Sequence, residues 1–127
     1  MVTSGCPFCA LTSSAIILDN DHAISIYDGF PVSPGHMLIL PKRHMISLFE
    51  ASFEERTALF DLLAESRGLL LGEYGPDGFN IGINDGSAAG QTVMHLHIHL
   101  IPRYAGDKAD PRGGVRWILP EKATYWE

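Results

Sequence analysis

The sequence contains no hydrophobic run of the roughly 18 residues needed to cross a bilayer, and no basic, apolar leader at its start. It is also short of positive charge, because nine Lys and Arg residues against fifteen Asp and Glu residues give a net charge of −6. That balance disfavours a broad nucleic-acid-binding surface. Only two cysteines are present, and they are too close in sequence to staple a long loop. We therefore expect a cytoplasmic protein that binds neither a membrane nor a nucleic acid polymer, with the cysteines acting as a metal or redox pair.

The 127 residues, 46% of them hydrophobic, suffice for one globular domain, which we place at 1–127. The hydrophobic pattern indicates an α+β domain in which an antiparallel sheet packs against one long helix. A capping box at Ser52 to Glu55 opens this helix. The expected elements are a hairpin at 16–27, strands at 36–40 and 79–84, a helix from Ser52 to about Gly72, and an irregular tail after Arg103.

Half of the six histidines occupy alternate positions in one short segment, as His95, His97 and His99. In an extended strand, successive side chains point to opposite faces, so the three imidazoles would share one face. A row of side chains that titrate near neutral pH would then be available for chemistry. The other face would be buried and carries Met94, Leu96, Ile98 and Leu100.

Three interpretations suit this histidine row. A neutral imidazole can attack phosphorus and form a phosphoramidate, and His97 is best placed because it has a neighbour on each side to orient it. Alternate histidines on a strand can also chelate Zn²⁺ in an open catalytic site. The third interpretation is a set of polar residues on the solvent face of an edge strand, which is disfavoured because three histidines stand in register beside a glycine-rich loop.

The loop that precedes the histidines favours a phosphate site. Gly90, Gln91 and Thr92 offer backbone N–H groups, a side-chain amide and a hydroxyl. Small residues let the main chain approach an anion closely. The alternative for an isolated loop of this kind is an ordinary hairpin turn.

The segment from His95 to Ile101, in which histidines alternate with hydrophobic residues, resembles the motif that names the histidine triad superfamily. The resemblance runs from Cys6 to about Arg103. It implies an antiparallel sheet with one long helix and a short helix, homodimers whose sheets join across the interface, and nucleotide hydrolase or transferase activity. Further segments similar to the family are Pro34-Gly35-His36, Pro41-Lys42-Arg43-His44 and Gly90-Gln91-Thr92-Val93.

The resemblance assigns roles residue by residue. His97 would be the covalent nucleophile, and His99 would contact the phosphoryl oxygens and assist the leaving group. His95 and His36 would support the row, and Asp28 would hold the ribose hydroxyls. The other implied nucleotide contacts are Asn84, Gln91 and Thr92 around the phosphates and, more loosely, Phe8, Leu11 and Ile26 around the base. Each has a structural alternative, as a turn residue or as part of the core.

Cys6-Pro7-Phe8-Cys9 is a CxxC motif. A redox motif would need a following helix in a βαβ context, which this segment does not offer, and a zinc site needs two more ligands. The resemblance supplies them, because some family members and the related galactose-1-phosphate uridylyltransferases use histidines at the positions of His44 and His95. It thereby implies a structural zinc site made of Cys6, Cys9, His44 and His95, with two reduced thiols that bind no metal as the alternative.

With the resemblance, the sequence predicts a nucleotide hydrolase that forms a nucleotidyl-histidine and releases a nucleoside monophosphate. The tetrapeptide at 90–93, which is similar to that of the fragile-histidine-triad branch, favours dinucleoside polyphosphates, which magnesium could accompany. Asp28, eight residues before His36, favours a nucleoside phosphoramidase instead. A nucleotide-binding or scaffolding protein with incidental activity, and a metal carrier, are the remaining alternatives.

Overall fold

The computed structural model describes residues 4–127, so the first three residues of the expected 1–127 domain lie outside the described part of the chain. The α+β class, with an antiparallel sheet and one long helix, is confirmed. The regular elements are β1 (Leu18–Asp19), β2 (Ala23–Tyr27), β3 (Met37–Pro41), α1 (Phe53–Tyr74), β4 (Gly78–Gly82) and β5 (Ile98–Arg103). Short 3₁₀ segments lie at Ser13–Ala15, Leu48–Glu50, Ser87–Ala89, Gly114–Ile118 and Pro120–Lys122.

The strands form one antiparallel sheet in the order β1-β2-β3-β5-β4. The predicted hairpin at 16–27 is formed by β1 and β2. Across the next strands, the register pairs Ile26 with Leu38 and Leu38 with His99. Directly paired residues share a face of a sheet, so His99 lies on the same face as these two buried aliphatic side chains.

Helix α1 covers the opposite face of the sheet. Its buried Leu59, Leu62 and Leu70 belong to the same core cluster as strand residues such as Ile39 and Ile98. Phe53 and Phe60 also belong to α1, but both are exposed because they lie on the side of the helix away from the sheet. The apolar surface between helix and sheet therefore forms the main core and leaves the other face free for a site.

The two ends of α1 follow local sequence signals. The Ser52 hydroxyl accepts from the Glu55 N–H, and the Glu55 carboxylate accepts from the Ser52 N–H, which is the predicted capping box. The helix continues to Tyr74, past its expected end near Gly72. It stops there because Gly75 adopts a left-handed conformation with φ of 60°, and a proline follows.

The sheet face opposite α1 carries a second, smaller cluster of buried side chains. Ile24, Ile26, Leu38 and Leu40 form it, and Phe8, Leu11 and Ile16 pack against it. The N-terminal segment thus covers part of the face on which His99 lies. Within residues 4–127, no helix combines the length and the apolar character that a bilayer crossing requires.

Candidate active site and metal cluster

The histidine row differs from the expected continuous strand. β5 begins at Ile98, so His99 alone of the three lies in the paired strand. The pairing stops there because Pro41 at the end of β3 has no N–H, and its carbonyl accepts from the His95 ring at 2.9 Å. His95 and His97 are buried, at 1% and 9% exposed, which argues against the solvent-face interpretation. Met94 was expected in the core but is 40% exposed.

The imidazole of His97 has a defined tautomer. Its Nδ1 lies 2.8 Å from the carbonyl oxygen of His95. Because a carbonyl oxygen can only accept, Nδ1 carries the hydrogen, and Nε2 of the neutral ring keeps its lone pair. His97 therefore presents one nitrogen with the electronic character of a nucleophile.

Asp28, His36 and His99 form a second group beside His97. The Nε2 atom of His36 lies 3.0 Å from Nδ1 of His99 and 3.4 Å from Oδ2 of Asp28. The His99 ring also contacts the His97 ring edge-on, with 5.1 Å between centroids. The structure thus brings together three of the four expected catalytic histidines and the expected ribose-binding carboxylate.

Burial lowers the pKa of both His36 and His99 below the usual value of 6.5. For His36 the Asp28 carboxylate opposes this effect, and for His99 the neighbouring His97 and His36 rings add to it while Asp28 opposes it. Desolvation disfavours the charged imidazolium, so both rings are held neutral near physiological pH.

These residues line a cavity of about 670 Å³ on the sheet face opposite α1. Phe8, Leu11 and Ile26 give it an apolar wall, and Asn84 and Thr92 contribute polar groups. The Phe8 ring meets the His97 ring edge-on, with 5.1 Å between centroids. One cavity therefore combines an apolar surface suited to a flat ring, polar groups and the lone-pair nitrogen of His97.

The two cysteines and two histidines implied as metal ligands lie together, with the His95 ring edge-on to the ring of Phe8, which lines the cavity. Sγ of Cys6 is 3.4 Å from Nδ1 of His95, and Sγ of Cys9 is 3.4 Å from Nδ1 of His44 and 3.7 Å from Nδ1 of His95. All four ligand atoms lie within 4.8 Å of one another. This Cys–His cluster comes from three separate parts of the chain, so it ties the N-terminal segment to the sheet.

The chemistry of the Cys–His cluster suits a metal ion. Because Nε2 of His95 donates to the Pro41 carbonyl, its Nδ1 has a lone pair directed at the sulfur atoms. Zinc with tetrahedral bonds of about 2.3 Å to sulfur and about 2.05 Å to nitrogen would separate these atoms by about 3.5 Å. Burial raises the pKa of the Cys6 thiol, whereas a divalent cation would stabilise the thiolate.

A model of the HIT domain, the histidine triad domain, matches residues 11–106, well over half of the 127-residue chain. The chain belongs to the HIT family. Members of this family are generally nucleotide-binding hydrolases or transferases. Such chemistry needs a nucleophile beside a cavity, and this HIT protein has His97 and its neighbouring imidazoles in one cavity.

Individual relatives support the assignment. An uncharacterised HIT-like protein of Mycoplasma genitalium is 38% identical over 111 residues, which is 84% of this chain and 78% of that protein. The crystal structure of a Zn-bound histidine triad family protein from Mycobacterium smegmatis has a TM-score of 0.75 at 34% identity, over 84% of this chain and 80% of that one. The adenylylsulfatase HINT3 of Arabidopsis thaliana is 34% identical over 106 residues, which is 80% of this chain and 54% of that protein.

Gln91 has a structural position in this HIT protein. It is buried, its amide nitrogen donates to the carbonyls of Ile46 and Val93, and its amide oxygen accepts from the Gly86 N–H. The side chain lies outside the residues that line the cavity. Its hydrogen bonds instead fix the loop that carries Gly90 and Thr92 into the cavity wall.

Two contributors to the site carry no chemical signal in the sequence. The backbone N–H of Val32 donates to Nδ1 of His36 at 3.1 Å, and the backbone N–H of Phe30 donates to Oδ1 of Asp28 at 2.8 Å. Both are main-chain groups of the loop between β2 and β3. This loop is rich in glycine and proline, yet it contains the large hydrophobic residues Phe30 and Val32, and both line the cavity. Their presence is the sequence signal that could have indicated a role for the loop in the site.

The basic residues near the motif are engaged elsewhere. Arg43 makes two hydrogen bonds of 2.9 Å to the Glu55 carboxylate, and Arg103 pairs with Asp107 at 2.8 Å. Neither cation lines the cavity that contains His97.

Proposed function

We propose that this HIT protein hydrolyses dinucleoside polyphosphates through a covalent nucleotidyl-His97 intermediate and releases a nucleoside monophosphate. The observation that carries the proposal is the hydrogen bond from Nδ1 of His97 to the His95 carbonyl, because it leaves the Nε2 lone pair available in a cavity. Two steps with a covalent intermediate replace one difficult displacement by water.

In the first step, Nε2 of His97 attacks the α-phosphorus, a bond forms between nitrogen and phosphorus, and the bond to the bridging oxygen breaks. The leaving nucleoside polyphosphate takes the bonding electron pair, and Nδ1–H remains bonded to the His95 carbonyl. Water then attacks the same phosphorus, loses a proton to solvent, and returns the electron pair to Nε2. His99 stabilises the charge on the phosphoryl oxygens by donating a hydrogen bond.

The cavity offers a place for each part of the nucleotide. The apolar wall of Phe8, Leu11 and Ile26 would contact the base, since such a wall accepts any flat ring. Asp28 would accept hydrogen bonds from the ribose hydroxyls, and Asn84, Thr92 and the loop fixed by Gln91 would surround the phosphates. These roles follow the family pattern, and the shared cavity supports them for every member of the set except Gln91.

A nucleoside phosphoramidase is the second candidate, favoured by the position of Asp28 in the cavity. The similarity to an adenylylsulfatase adds sulfate as a third type of leaving group. All three reactions begin with attack at an α-phosphorus, and they differ in the leaving group. A nucleotide-binding or scaffolding protein with incidental activity would use the same cavity with slow turnover.

We further propose that Cys6, Cys9, His44 and His95 hold one structural zinc ion, which links the N-terminal segment to the sheet. The support is the spacing of the ligand atoms and the Zn-bound state of the M. smegmatis relative. Magnesium would accompany only a polyphosphate substrate. A bound metal would also require both cysteines to remain reduced, which suits the proposed cytoplasmic location.

The protein would act as a homodimer whose two sheets join. β4 is the edge strand best suited to this, because it is longer than β1 at the other edge and carries the exposed Ile81. Unpaired edge strands readily pair with another chain. Phe60 and Leu71, exposed on α1, would provide further apolar surface.

The proposal is tested by trapping the intermediate. Wild-type protein mixed briefly with diadenosine polyphosphate and then acid-quenched should carry one adenylyl group, and mass spectrometry of its peptides should map that group to His97. His97→Ala should bind adenosine monophosphate yet show no turnover, while His22→Ala, at an exposed histidine outside the cavity, should behave as wild type. Turnover by His97→Ala at the wild-type rate would refute the mechanism.

Comparison of substrates tests the leaving group. Diadenosine polyphosphate, adenosine phosphoramidate and adenylylsulfate should be offered to the same preparation at equal concentration. The proposed function requires the highest kcat/KM for the polyphosphate. A higher value for the phosphoramidate would reassign the protein to the second candidate without affecting the role of His97.

A further inference from the structure

One hydrogen atom lies at the junction of Asp28, His36 and His99. Nδ1 of His36 accepts from the Val32 N–H at 3.1 Å, so Nε2 of the neutral His36 ring must carry the hydrogen. That hydrogen faces Nδ1 of His99 at 3.0 Å and Oδ2 of Asp28 at 3.4 Å, measured from Nε2. The contact with His99 is the hydrogen bond, and the Asp28 carboxylate lies beside the same N–H as a more distant negative group.

The nearer contact determines the tautomer of His99. Because Nδ1 of His99 accepts from His36, its hydrogen must be on Nε2 in the neutral ring. A protonated His99 would place a second hydrogen between the two rings, and burial already disfavours this form by lowering the pKa of His99. His99 is thereby prepared to donate from Nε2.

The two oxygens of Asp28 are not equivalent. Oδ1 accepts from the Phe30 N–H at 2.8 Å, which closes a turn in the backbone. Oδ2 faces His36, and Asp28 lines the cavity. Oδ2 makes no hydrogen bond to the backbone of this turn, so a ribose hydroxyl that donates to Oδ2 would approach the atom that lies 3.4 Å from Nε2 of His36.

We propose that Asp28 is a positioning residue that acts through His36 on His99, so that ribose binding is coupled to hydrogen-bond donation by His99. When a ribose hydroxyl donates to Oδ2, the pull of that oxygen on the His36 N–H weakens, and the existing hydrogen bond from His36 to Nδ1 of His99 strengthens, which holds the Nε2–H of His99 towards the phosphate. The inference rests on the proposed function, in which Asp28 was assigned the ribose alone. No proton is transferred in this step; the hydrogen bond that His36 already makes to His99 is strengthened.

A divalent metal at the same three side chains is disfavoured by the same hydrogen bond. Asp28, His36 and His99 are close enough to share an ion. A metal would need the lone pair of Nε2 on His36, but the Val32 N–H requires the lone pair to be on Nδ1. The geometry therefore points to a hydrogen-bonded chain.

The first test measures histidine nitrogen shifts by NMR, with adenosine monophosphate and 2′,3′-dideoxyadenosine monophosphate as probes at saturating concentration. Adenosine monophosphate should move the His36 Nε2 resonance, and the dideoxy nucleotide should leave it near the ligand-free position. In ligand-free Asp28→Asn, which retains an oxygen for the Phe30 N–H, the His36 signal should differ from wild type, whereas Asp21→Asn should not change it. Equal shifts with both nucleotides, or an unchanged Asp28→Asn spectrum, would overturn the coupling.

The second test is a double-mutant cycle on kcat with diadenosine polyphosphate. Asp28→Asn and His36→Gln should each lower kcat by about tenfold or more. The double variant should fall no further than His36→Gln alone, because the two residues act in one chain. If the two losses multiply, Asp28 acts independently and the inference is wrong. The NMR test needs only nucleotide binding, so failure of the covalent mechanism would not be confused with failure of the coupling.

Discussion

Glu55 makes the best-defined charged contact between α1 and the segment that leads to His44. Its carboxylate accepts from Nε and Nη2 of Arg43, each at 2.9 Å, and from the Ser52 N–H at 2.8 Å. The Arg43 hydrogen bonds, with those of Ser52, lower the pKa of Glu55 from 4.5 to about 2, although burial opposes the effect. We predict that Glu55→Gln destabilises the folded protein at neutral pH.

The magnitude follows from the pKa of Glu55. A change from 4.5 to about 2, at about 1.4 kcal/mol for each pKa unit, corresponds to at most about 3.5 kcal/mol. The Arg43 side chain is 49% exposed, so solvent screens the pair. We therefore expect the free energy of unfolding to fall by about 1–2 kcal/mol.

The effect has a defined pH window. The folded-state pKa of Glu55 lies below the value of the unfolded chain, so its charged contact contributes fully above about 4.5 and is lost as the pH falls towards about 2. The difference between wild type and Glu55→Gln should be constant around neutral pH. It should narrow as the pH drops through this window.

Urea unfolding at neutral pH and at steps down to the acid limit measures the difference. Glu54→Gln is the matched control, because Glu54 lies in the same first turn of α1 but is exposed, and it is not among the residues that pair with Arg43. The reasoning is refuted if Glu54→Gln costs as much as Glu55→Gln. It is also refuted if the loss in Glu55→Gln is independent of pH.

Three further predictions concern the cavity and the cluster. Phe8→Ala should weaken adenosine monophosphate binding by about 1–3 kcal/mol, measured by calorimetry, because the ring both lines the cavity and packs on His97. Cys9→Ser should lower the metal content of purified protein from about one ion per chain to near zero and reduce Tm, because the ion would link separate parts of the chain. Stability should fall as the pH drops below about 6.5, because burial keeps His36 and His99 neutral in the folded state while the unfolded chain takes up protons; denaturation midpoints against pH would measure this loss.

Each of these three predictions has a control or a result that would contradict it. Phe49→Ala, at an exposed phenylalanine outside the cavity, should leave nucleotide affinity unchanged, and an equal loss there would contradict the role of Phe8. Stoichiometric metal in Cys9→Ser would remove that cysteine from the ligand set. A His36→Gln/His99→Gln variant should lose part of the acid dependence, and an unchanged midpoint curve would assign that dependence to other groups.

The parts of the fold that could be predicted were those encoded over a few residues. The capping box at Ser52 and the hairpin of β1 and β2 depend on neighbouring side chains, so the sequence pattern contains them. The strand was expected to include His95 and His97, but β5 begins at Ile98. Its start depends on Pro41, a residue far away in the sequence whose carbonyl accepts a hydrogen bond from the His95 ring. Alternation predicted one row of three histidines, whereas His97 and His99 line the cavity and His95 lies with the cysteines, and the pattern could not tell which of them lay in a paired strand.

The candidate site also contains features that the sequence predicts and features that depend on distant parts of the chain. The residues that line the cavity could be identified by type and by family resemblance, since side-chain chemistry is readable in the sequence. The position of Gln91 could not, because its amide is suited equally to a phosphate and to the carbonyls of Ile46 and Val93. The contacts of Val32 and Phe30 with the site are made by backbone N–H groups, which every residue but proline possesses.

His95 connects the Cys–His cluster to the nucleophile through its backbone. Both nitrogens of its ring are engaged, Nε2 by the Pro41 carbonyl and Nδ1 by the sulfur atoms of Cys6 and Cys9, so the ring itself is not free to exchange a proton with substrate. Its carbonyl oxygen, however, fixes the tautomer of His97. A supporting role for His95 would therefore be carried by its main chain, which contacts His97, while its side chain is anchored in the cluster. A metal ion in the cluster would affect catalysis by holding His95 in place. Loss of the metal would therefore change the position of His97 and leave the chemistry of its imidazole unchanged.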